Sequence, residues 1–236
     1  MKRYIKLPSL LMTVFLLCYS CLSQARPSIV FSCGIPTSLP QWQTLETLYR
    51  KAFDTLGYDF SMVYINTKRM LHEHKYYDKY DGICAFTRMP PERLQEYGLI
   101  LVESPVGDPN TALWRNKSTT APDSDSPLLQ PNTQAGYLRG NNIGKRFIQQ
   151  FPSVTPVTFI KPNLGMKTLA AGRIDYWVGF AYTADFLAED LELTDTVEKV
   201  AIIRQDFFYP LITEKLLSLK TPLENQLKQA AKNRGG

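Results

Sequence analysis

The fold is decided by one short stretch, Tyr80-Asp81-Gly82-Ile83-Cys84-Ala85-Phe86-Thr87-Arg88. Its centre, residues 82–86, is a short apolar run between polar residues, which predicts a buried strand. The run Ser28–Cys33 has the same character, and we expect the two strands to be parallel neighbours. Parallel neighbours need crossover connections, so the rest of the chain should supply helices between strands.

Strands and helices alternate around this stretch. Strands are predicted at 28–33, 59–65 and 82–86, and helices at 40–56 and 67–75. In the first helix, apolar residues follow the i, i+3, i+4 spacing of a buried face, and Gly57 ends the helix. Alternation of this kind predicts a parallel sheet that is covered by helices.

A polar interval rich in proline and serine, residues 117–131, interrupts the alternation, which then resumes. Such a composition is typical of a surface loop or a boundary between lobes. Because the alternation resumes, the chain should form two similar α/β lobes. In the final predicted helix, Thr221 is expected to be the N-cap, with Glu224 as its capping-box partner. The strands predicted after the interval are Gln134–Leu138, Val157–Ile160, Tyr176–Phe180 and 206–213, and the helices are Gly144–Phe151, Leu164–Ala171 and Thr221–Lys232.

The N-terminus has the pattern of a secretory signal peptide over residues 1–25. Basic residues precede an apolar run at 10–17, and Ala25 ends a small-residue cleavage signal. The run is shorter than the roughly 20 residues of a membrane-spanning helix, although an uncleaved anchor is an alternative. Cleavage after Ala25 would lower the formal charge from +5 to +2, which argues against a nucleic-acid partner. We expect a periplasmic protein.

The cysteine count fits an oxidising compartment. Cys18 and Cys21 would leave with the signal peptide, so Cys33 and Cys84 would be the only pair in the mature chain. Both belong to the two strands that are expected to be parallel neighbours. A disulfide and two separate buried thiols are both consistent with this placement, because a bond needs α-carbons within roughly 7 Å.

Three segments have a pattern that alternation alone does not supply. They are Tyr80–Arg88 with Pro90-Pro91-Glu92-Arg93 and Glu103-Ser104-Pro105 beyond it, Ala135-Gly136-Tyr137-Leu138-Arg139-Gly140-Asn141-Asn142, and Leu169-Ala170-Ala171-Gly172-Arg173-Ile174-Asp175. In order and spacing they resemble the first-lobe signature, the turn that opens the second lobe, and a later turn of the extracellular solute-binding proteins of family 3. The resemblance covers most of the mature chain.

This resemblance implies an α/β chain with the two-lobed periplasmic-binding-protein type II fold. Each lobe would be a mostly parallel sheet flanked by helices, and two crossover strands would join the lobes. Residues 26–112 and 207–236 would form lobe 1, and residues 113–206 would form lobe 2. A solute would lie in the cleft between them, and the lobes would close over it by a hinge motion.

The resemblance also implies which residues bind the solute. The family usually binds a ligand carboxylate with an arginine of lobe 1, a task suited to the planar guanidinium. The motif implies Arg93, which is the favoured candidate, and proximity to the strand end implies Arg88; an exposed arginine paired with a glutamate is the alternative for either. In lobe 2, Asn141 and Asn142 would contact a polar group of the solute, or would only cap the following helix.

Amino-acid binders of this family place an aspartate five residues after the position of Asp175, where it pairs with the ligand ammonium. Here that position is Phe180. A buried ammonium without a carboxylate is costly, so a free α-amino acid is not the expected solute unless Asp185 or another carboxylate substitutes. Trp42, Trp177 and Phe180 would instead line an aromatic cleft, although Trp42 also fits the buried face of the first helix and strand alternation assigns part of the aromatic set to the core.

Signals of catalysis are missing from the sequence. The only histidines, His72 and His74, are two residues apart and would point to different sides of a helix, so no metal site is expected. Neither a Gly-x-Ser-x-Gly motif nor a glycine-rich phosphate loop occurs. We therefore expect neither an enzyme nor a cofactor.

The expected function is capture of a small polar solute, acidic or aromatic, by a monomer that delivers it to a membrane permease. A ligand-sensing accessory protein for a membrane sensor is the first alternative. A cleft enzyme such as a small dehydratase is the second, because a few proteins of this fold carry out dehydration in the same cleft.

Overall fold

A computed structural model of the protein describes residues 25–119 and 129–232. The predicted signal peptide, with Cys18 and Cys21, lies outside the described residues except for Ala25, and so does most of the interval rich in proline and serine. Within the described ranges, no helix is both long enough and apolar enough to cross a membrane.

The described helices and strands follow one another in three blocks. The first block contains β1 (Ser28–Cys33), α1 (Pro40–Thr55), β2 (Asp59–Tyr64), α2 (Thr67–Tyr76), β3 (Gly82–Thr87), α3 (Pro91–Glu96) and β4 (Leu99–Leu101). The second contains β5 (Thr111–Asn116), β6 (Gln134–Leu138), α4 (Asn142–Ile148), β7 (Thr155–Phe159), α5 (Pro162–Ala170), β8 (Tyr176–Phe180), α6 (Ala181–Asp190) and β9 (Val197–Arg204). The third contains β10 (Phe208–Thr213), a 3₁₀ helix (Glu214–Leu219) and α7 (Lys220–Lys232).

These strands form two sheets with the same topology. The strand orders are β2-β1-β3-β10-β4 and β7-β6-β8-β5-β9. In each sheet four strands run in one direction, and the crossover strand, β10 or β5, runs against its two neighbours. The predicted two-lobed fold of mostly parallel sheets is therefore confirmed. We refer to the first sheet with its helices as lobe 1 and to the second as lobe 2.

The stretch at residues 80–88 forms the centre of lobe 1. Strand β3 lies between β1 and β10. Gly82 is required there by close packing, since a β-carbon would lie 2.5 Å from the Leu211 carbonyl oxygen and 2.6 Å from the Phe31 ring. Asp81 secures the same region by accepting a hydrogen bond of 2.8 Å from the backbone N–H of Val30.

A disulfide joins Cys33 and Cys84, whose α-carbons are 5.1 Å apart. Both residues are fully buried in lobe 1, and their strands are parallel neighbours, as expected from the sequence. The bond closes a loop with a sequence separation of 51 residues, for which chain entropy gives a stabilisation of about 4 kcal/mol. The hydroxyl of Tyr49, on α1, donates to the carbonyl of Cys84 and ties the helix to the same point.

The final helix begins differently from the prediction. It starts at Lys220, directly after the 3₁₀ helix, so Thr221 lies inside it and is not its N-cap. Glu224 is therefore free of the capping-box role, and its carboxylate accepts a hydrogen bond of 2.9 Å from the backbone N–H of Glu103. Helix α7 is thus attached to the end of β4.

Candidate functional site

The carboxyl-terminal edges of the two sheets face each other across two chain crossings. From β4 the chain enters lobe 2 at Thr111, which pairs with Phe180 and Arg204, the last residues of β8 and β9. It returns to lobe 1 at Phe208, which pairs with Thr87, the last residue of β3. Ligands of α/β sheets bind beyond the carboxyl ends of the strands, so the cleft between these edges is the candidate site.

The two crossings run side by side and form a hinge. The backbone N–H of Phe208 donates to the Gly107 carbonyl at 2.8 Å, and the N–H of Val106 donates to the Phe208 carbonyl at 2.8 Å. Beside them, Arg204 and Asp206 form an ion pair of 2.9 Å. Because these short segments carry the described chain from one sheet to the other, a change in their backbone dihedral angles would move one lobe relative to the other.

Arg88 lies directly after β3, at the cleft edge of lobe 1. Its guanidinium makes a two-pronged contact with Glu103, with N···O distances of 2.5 and 3.2 Å. The guanidinium carbon lies 4.8 Å from the centre of the Tyr209 ring. The Glu103 carboxylate, and then the Tyr209 hydroxyl, raise the pKa of Arg88 above its ordinary value. Arg88 is therefore a permanent cation beside an aromatic ring at the rim of the cleft.

Arg93, the motif-based candidate, has a different environment. It is exposed on the short helix α3, and its guanidinium stacks on Tyr97, with a hydrogen bond of 3.4 Å to the phenol. This i, i+4 contact keeps the side chain on its own helix. Between the two arginines, the geometry favours Arg88 as the one that faces a solute.

The asparagines of lobe 2 follow β6, at its carboxyl end. The side chain of Asn141 accepts a hydrogen bond of 3.0 Å from the backbone N–H of Gly144, which makes it the N-cap of α4. Asn142 is the first residue of the helix and is exposed. Asn141 therefore caps the helix, and the exposed amide of Asn142 is the one available to a solute.

Aromatic rings from both lobes meet at the hinge side of the cleft. Phe180, at the end of β8, stacks on Tyr182, with ring centres 5.7 Å apart. Both rings pack edge-on against Phe208 of lobe 1, at 6.0 and 6.4 Å. Burial raises the pKa of Tyr182 to about 12, so its phenol is neutral at ordinary pH. We call these three residues the hinge aromatic cluster.

Two predicted cleft aromatics lie in the lobe cores instead. Trp42 is 8% exposed within the main apolar cluster of lobe 1, and its indole N–H donates to Glu46 at 3.1 Å. Trp177 is 2% exposed in lobe 2, so close to α5 that a β-carbon at Gly165 would lie 2.1 Å from its ring. Their surfaces are used in packing, as the core alternative for these aromatics predicts, and neither indole offers an open face to a solute in this conformation; their role as solute contacts stays a prediction.

Sequence reasoning missed Glu103, Tyr209 and Phe208 as site residues. Glu103 follows β4, and Phe208 and Tyr209 belong to β10, so all three lie outside the stretch that contains β3 and Arg88. A usable signal was present, because the aromatic run Phe207-Phe208-Tyr209 begins where the chain was expected to return to lobe 1.

The two histidines make separate contacts. His74 Nε2 lies 2.9 Å from the hydroxyl of Ser32, a fully buried residue of β1, whereas the ring of His72 is exposed and packs against Tyr76. Burial lowers the pKa of His74. Among the described residues, no group of three or more His, Cys, Asp or Glu side chains could hold a metal ion.

Comparison with known proteins supports the fold. No protein-family model matches the chain, and no curated protein sequence matches it. Solved structures do match. The probable amino-acid ABC transporter extracellular-binding protein ytmK from Bacillus subtilis superposes with a TM-score of 0.70 at 12% sequence identity, covering 88% of this chain and 94% of that one.

Two further structures are similar over most of their length. A histidine kinase sensor domain with similarity to periplasmic binding proteins has a TM-score of 0.68 at 15% identity, covering 89% of this chain and 93% of that one. A mutant of the arginine-binding protein ArgBP from T. maritima has a TM-score of 0.65 at 13% identity, covering 87% and 90%. At these identities the likeness shows the fold, which is that of periplasmic solute-binding proteins and related sensor domains.

Proposed function

We propose that this chain, which has the fold of periplasmic solute-binding proteins, captures a small solute that combines a carboxylate with a planar or apolar body. The observation that carries the proposal is the pairing of Arg88, at the rim of the cleft, with the hinge aromatic cluster at its inner side. The guanidinium would bind the carboxylate, and the rings would pack on the body of the solute.

The same geometry disfavours a free α-amino acid. Phe180 takes the position at which the amino-acid binders have an aspartate, and its ring is stacked on Tyr182. Asp185, the carboxylate considered as a substitute, is paired with Lys199 at 2.8 Å. An ammonium placed beside the hinge aromatic cluster would lose its hydration without gaining a carboxylate partner, which is costly.

We place the protein in the periplasm. The N-terminal sequence has the features of a cleaved signal peptide, and the Cys33–Cys84 disulfide fits an oxidising compartment. In this role the protein would work as a monomer that hands its solute to a membrane permease. No enzymatic step is needed for this function.

A panel of matched compounds tests the proposal. Thermal unfolding would be measured with 3-phenylpropanoate, L-phenylalanine and 3-phenylpropanol, which carry a carboxylate alone, a carboxylate with an ammonium, and neither charge. The carboxylate should stabilise the protein most, by an amount that grows as RT ln(1 + [L]/Kd), about 2.7 kcal/mol at 100 Kd. Stabilisation by the amino acid but not by the carboxylate would contradict the proposal, as would conversion of the carboxylate to a product.

Sensing is the second candidate. It is favoured by the similarity to a histidine kinase sensor domain, which is as extensive as the similarity to transport proteins. Crosslinking in membranes of the native cell would separate the two roles. A permease as the crosslinked partner supports transport, and a membrane-bound signalling protein supports sensing.

A further inference from the structure

The contact between Arg88 and Glu103 has the geometry by which an arginine binds a ligand carboxylate. Both oxygens of Glu103 meet the guanidinium, at N···O distances of 2.5 and 3.2 Å. Such a two-pronged arrangement satisfies the donor edge of the guanidinium that a carboxylate recognises best. Glu103 therefore occupies the surface of Arg88 that a solute carboxylate would need.

The guanidinium has a second neighbour besides Glu103. Its central carbon lies 4.8 Å from the centre of the Tyr209 ring, and Tyr209 is fixed in strand β10 opposite Phe86. If the Glu103 carboxylate moved away, Arg88 would still have a support beneath it and an open donor edge. An incoming carboxylate would then find a site that is already formed.

The backbone of Glu103 has an attachment that is independent of its carboxylate. Its N–H donates to Glu224 on helix α7, so the loop after β4 stays attached when the side chain turns. The side chains of Arg88 and Glu103 are about half exposed, at 53% and 47%. An ion pair of this kind contributes little to stability and exchanges readily with solvent.

We propose that Glu103 is a built-in competitor, which a solute carboxylate must displace from Arg88 to bind. This inference rests on the proposed function, since it concerns the same cleft arginine. It makes Glu103 a determinant of affinity and specificity. A weakly basic carboxylate or a neutral solute gains little binding free energy by displacing Glu103 from Arg88, whereas an anion that binds the guanidinium strongly through two oxygens gains more. Glu103→Gln should therefore strengthen the binding of carboxylates at Arg88.

Acetate is the probe for this exchange, because it binds a guanidinium without needing the rest of the cleft. The amide-like Nε–H signal of Arg88 would be followed by NMR during an acetate titration of wild type, Glu103→Gln and Glu96→Gln. Glu96 is the matched control: it pairs with Lys75 at 2.7 Å, has the same 47% exposure and lies on α3. Its change removes the same charge without touching Arg88.

The acetate concentration at half-saturation should fall about two- to fivefold in Glu103→Gln, which corresponds to the free energy of an exposed ion pair. In Glu96→Gln it should stay at the wild-type value. An unchanged midpoint in Glu103→Gln, or an equal fall in Glu96→Gln, overturns the inference. The Nε–H signal reports on Arg88 itself and not on the rest of the cleft. If no compound in the thermal panel stabilises the protein, the proposed function is rejected. The acetate titration would still decide the role of Glu103.

Discussion

At the scale of single residues, two side chains account for most of what the cleft can recognise. By its spacing from Asp175, Phe180 is predicted to take the position of the aspartate of amino-acid binders, and its ring is stacked on Tyr182. Arg88 has a positive charge, and its guanidinium carbon lies 4.8 Å from the centre of the Tyr209 ring. Under the proposed function, an aromatic surface takes the place of an acceptor site for an ammonium, and Arg88 is the donor site for a carboxylate. The expected solute changes accordingly.

The two arginines of lobe 1 give the sharpest prediction at this scale. Arg88→Ala should weaken the binding of 3-phenylpropanoate by about 1.5–3 kcal/mol, roughly 10- to 150-fold in Kd, because the carboxylate loses its cation. Arg93→Ala should leave it within twofold of wild type, since Arg93 lies on Tyr97 of its own helix. Isothermal titration calorimetry of both variants measures the effect. The assignment is wrong if Arg93→Ala is the variant that loses binding.

At the scale of elements, helix α2 is attached to strand β1 by one buried polar contact. His74 of α2 and Ser32 of β1 lie 2.9 Å apart beneath the sheet. Burial lowers the pKa of His74 and outweighs the neighbouring carboxylates of Glu73 and Asp81, which raise it. The folded protein therefore favours the neutral imidazole.

This contact makes stability depend on pH. The unfolded chain takes up a proton on His74 near pH 6.5, and the folded chain does so only at lower pH. The stability that comes from the neutral ring is thus fully present above pH 6.5 and is lost as the pH falls below it, at no more than about 1.4 kcal/mol per pH unit. Urea unfolding between pH 5 and 8 measures the slope.

His74→Gln should flatten that slope, and the matched variant is His72→Gln, since His72 is exposed on the same helix. The interpretation fails if the slope persists in His74→Gln, or if His72→Gln removes it.

The elements could largely be predicted from the sequence, and the site only in part. The predicted bounds of the strands Gln134–Leu138 and Tyr176–Phe180 match the structure because local apolar runs define these strands. Helix α6 was missed because it follows β8 without an intervening polar turn, and β9 because its charged residues interrupt the apolar pattern.

The site depends on long-range contacts that periodicity does not contain. Arg88 acquires its environment from Glu103 and Tyr209, which lie 15 and more than 100 residues away in the chain. Residue type alone placed Trp42 and Trp177 in the cleft, but the packing of α1 and α5 buries them. The interpretation of Phe180 as a departure from the family pattern rests on its sequence spacing from Asp175 and stays a prediction.

At the scale of the whole molecule, the repeated topology is what creates the cleft. In each sheet the antiparallel strand, β5 or β10, is the one by which the chain enters that sheet from the other, so both crossings join carboxyl edges and bring those edges face to face. Tyr182 and Phe186 of lobe 2 pack against the apolar cluster of lobe 1 near the hinge. Under the proposed function the lobes move around this contact, and a solute that contacts both lobes would favour closure.

Closure on binding is the central claim, and small-angle X-ray scattering tests it most directly. During a titration with 3-phenylpropanoate, the radius of gyration of the wild-type protein should fall and then saturate at the concentrations at which thermal stabilisation saturates. Arg88→Ala should show no change over the same range. A radius of gyration that stays constant while the protein is stabilised would contradict the account, because the solute would then bind without bringing the lobes together.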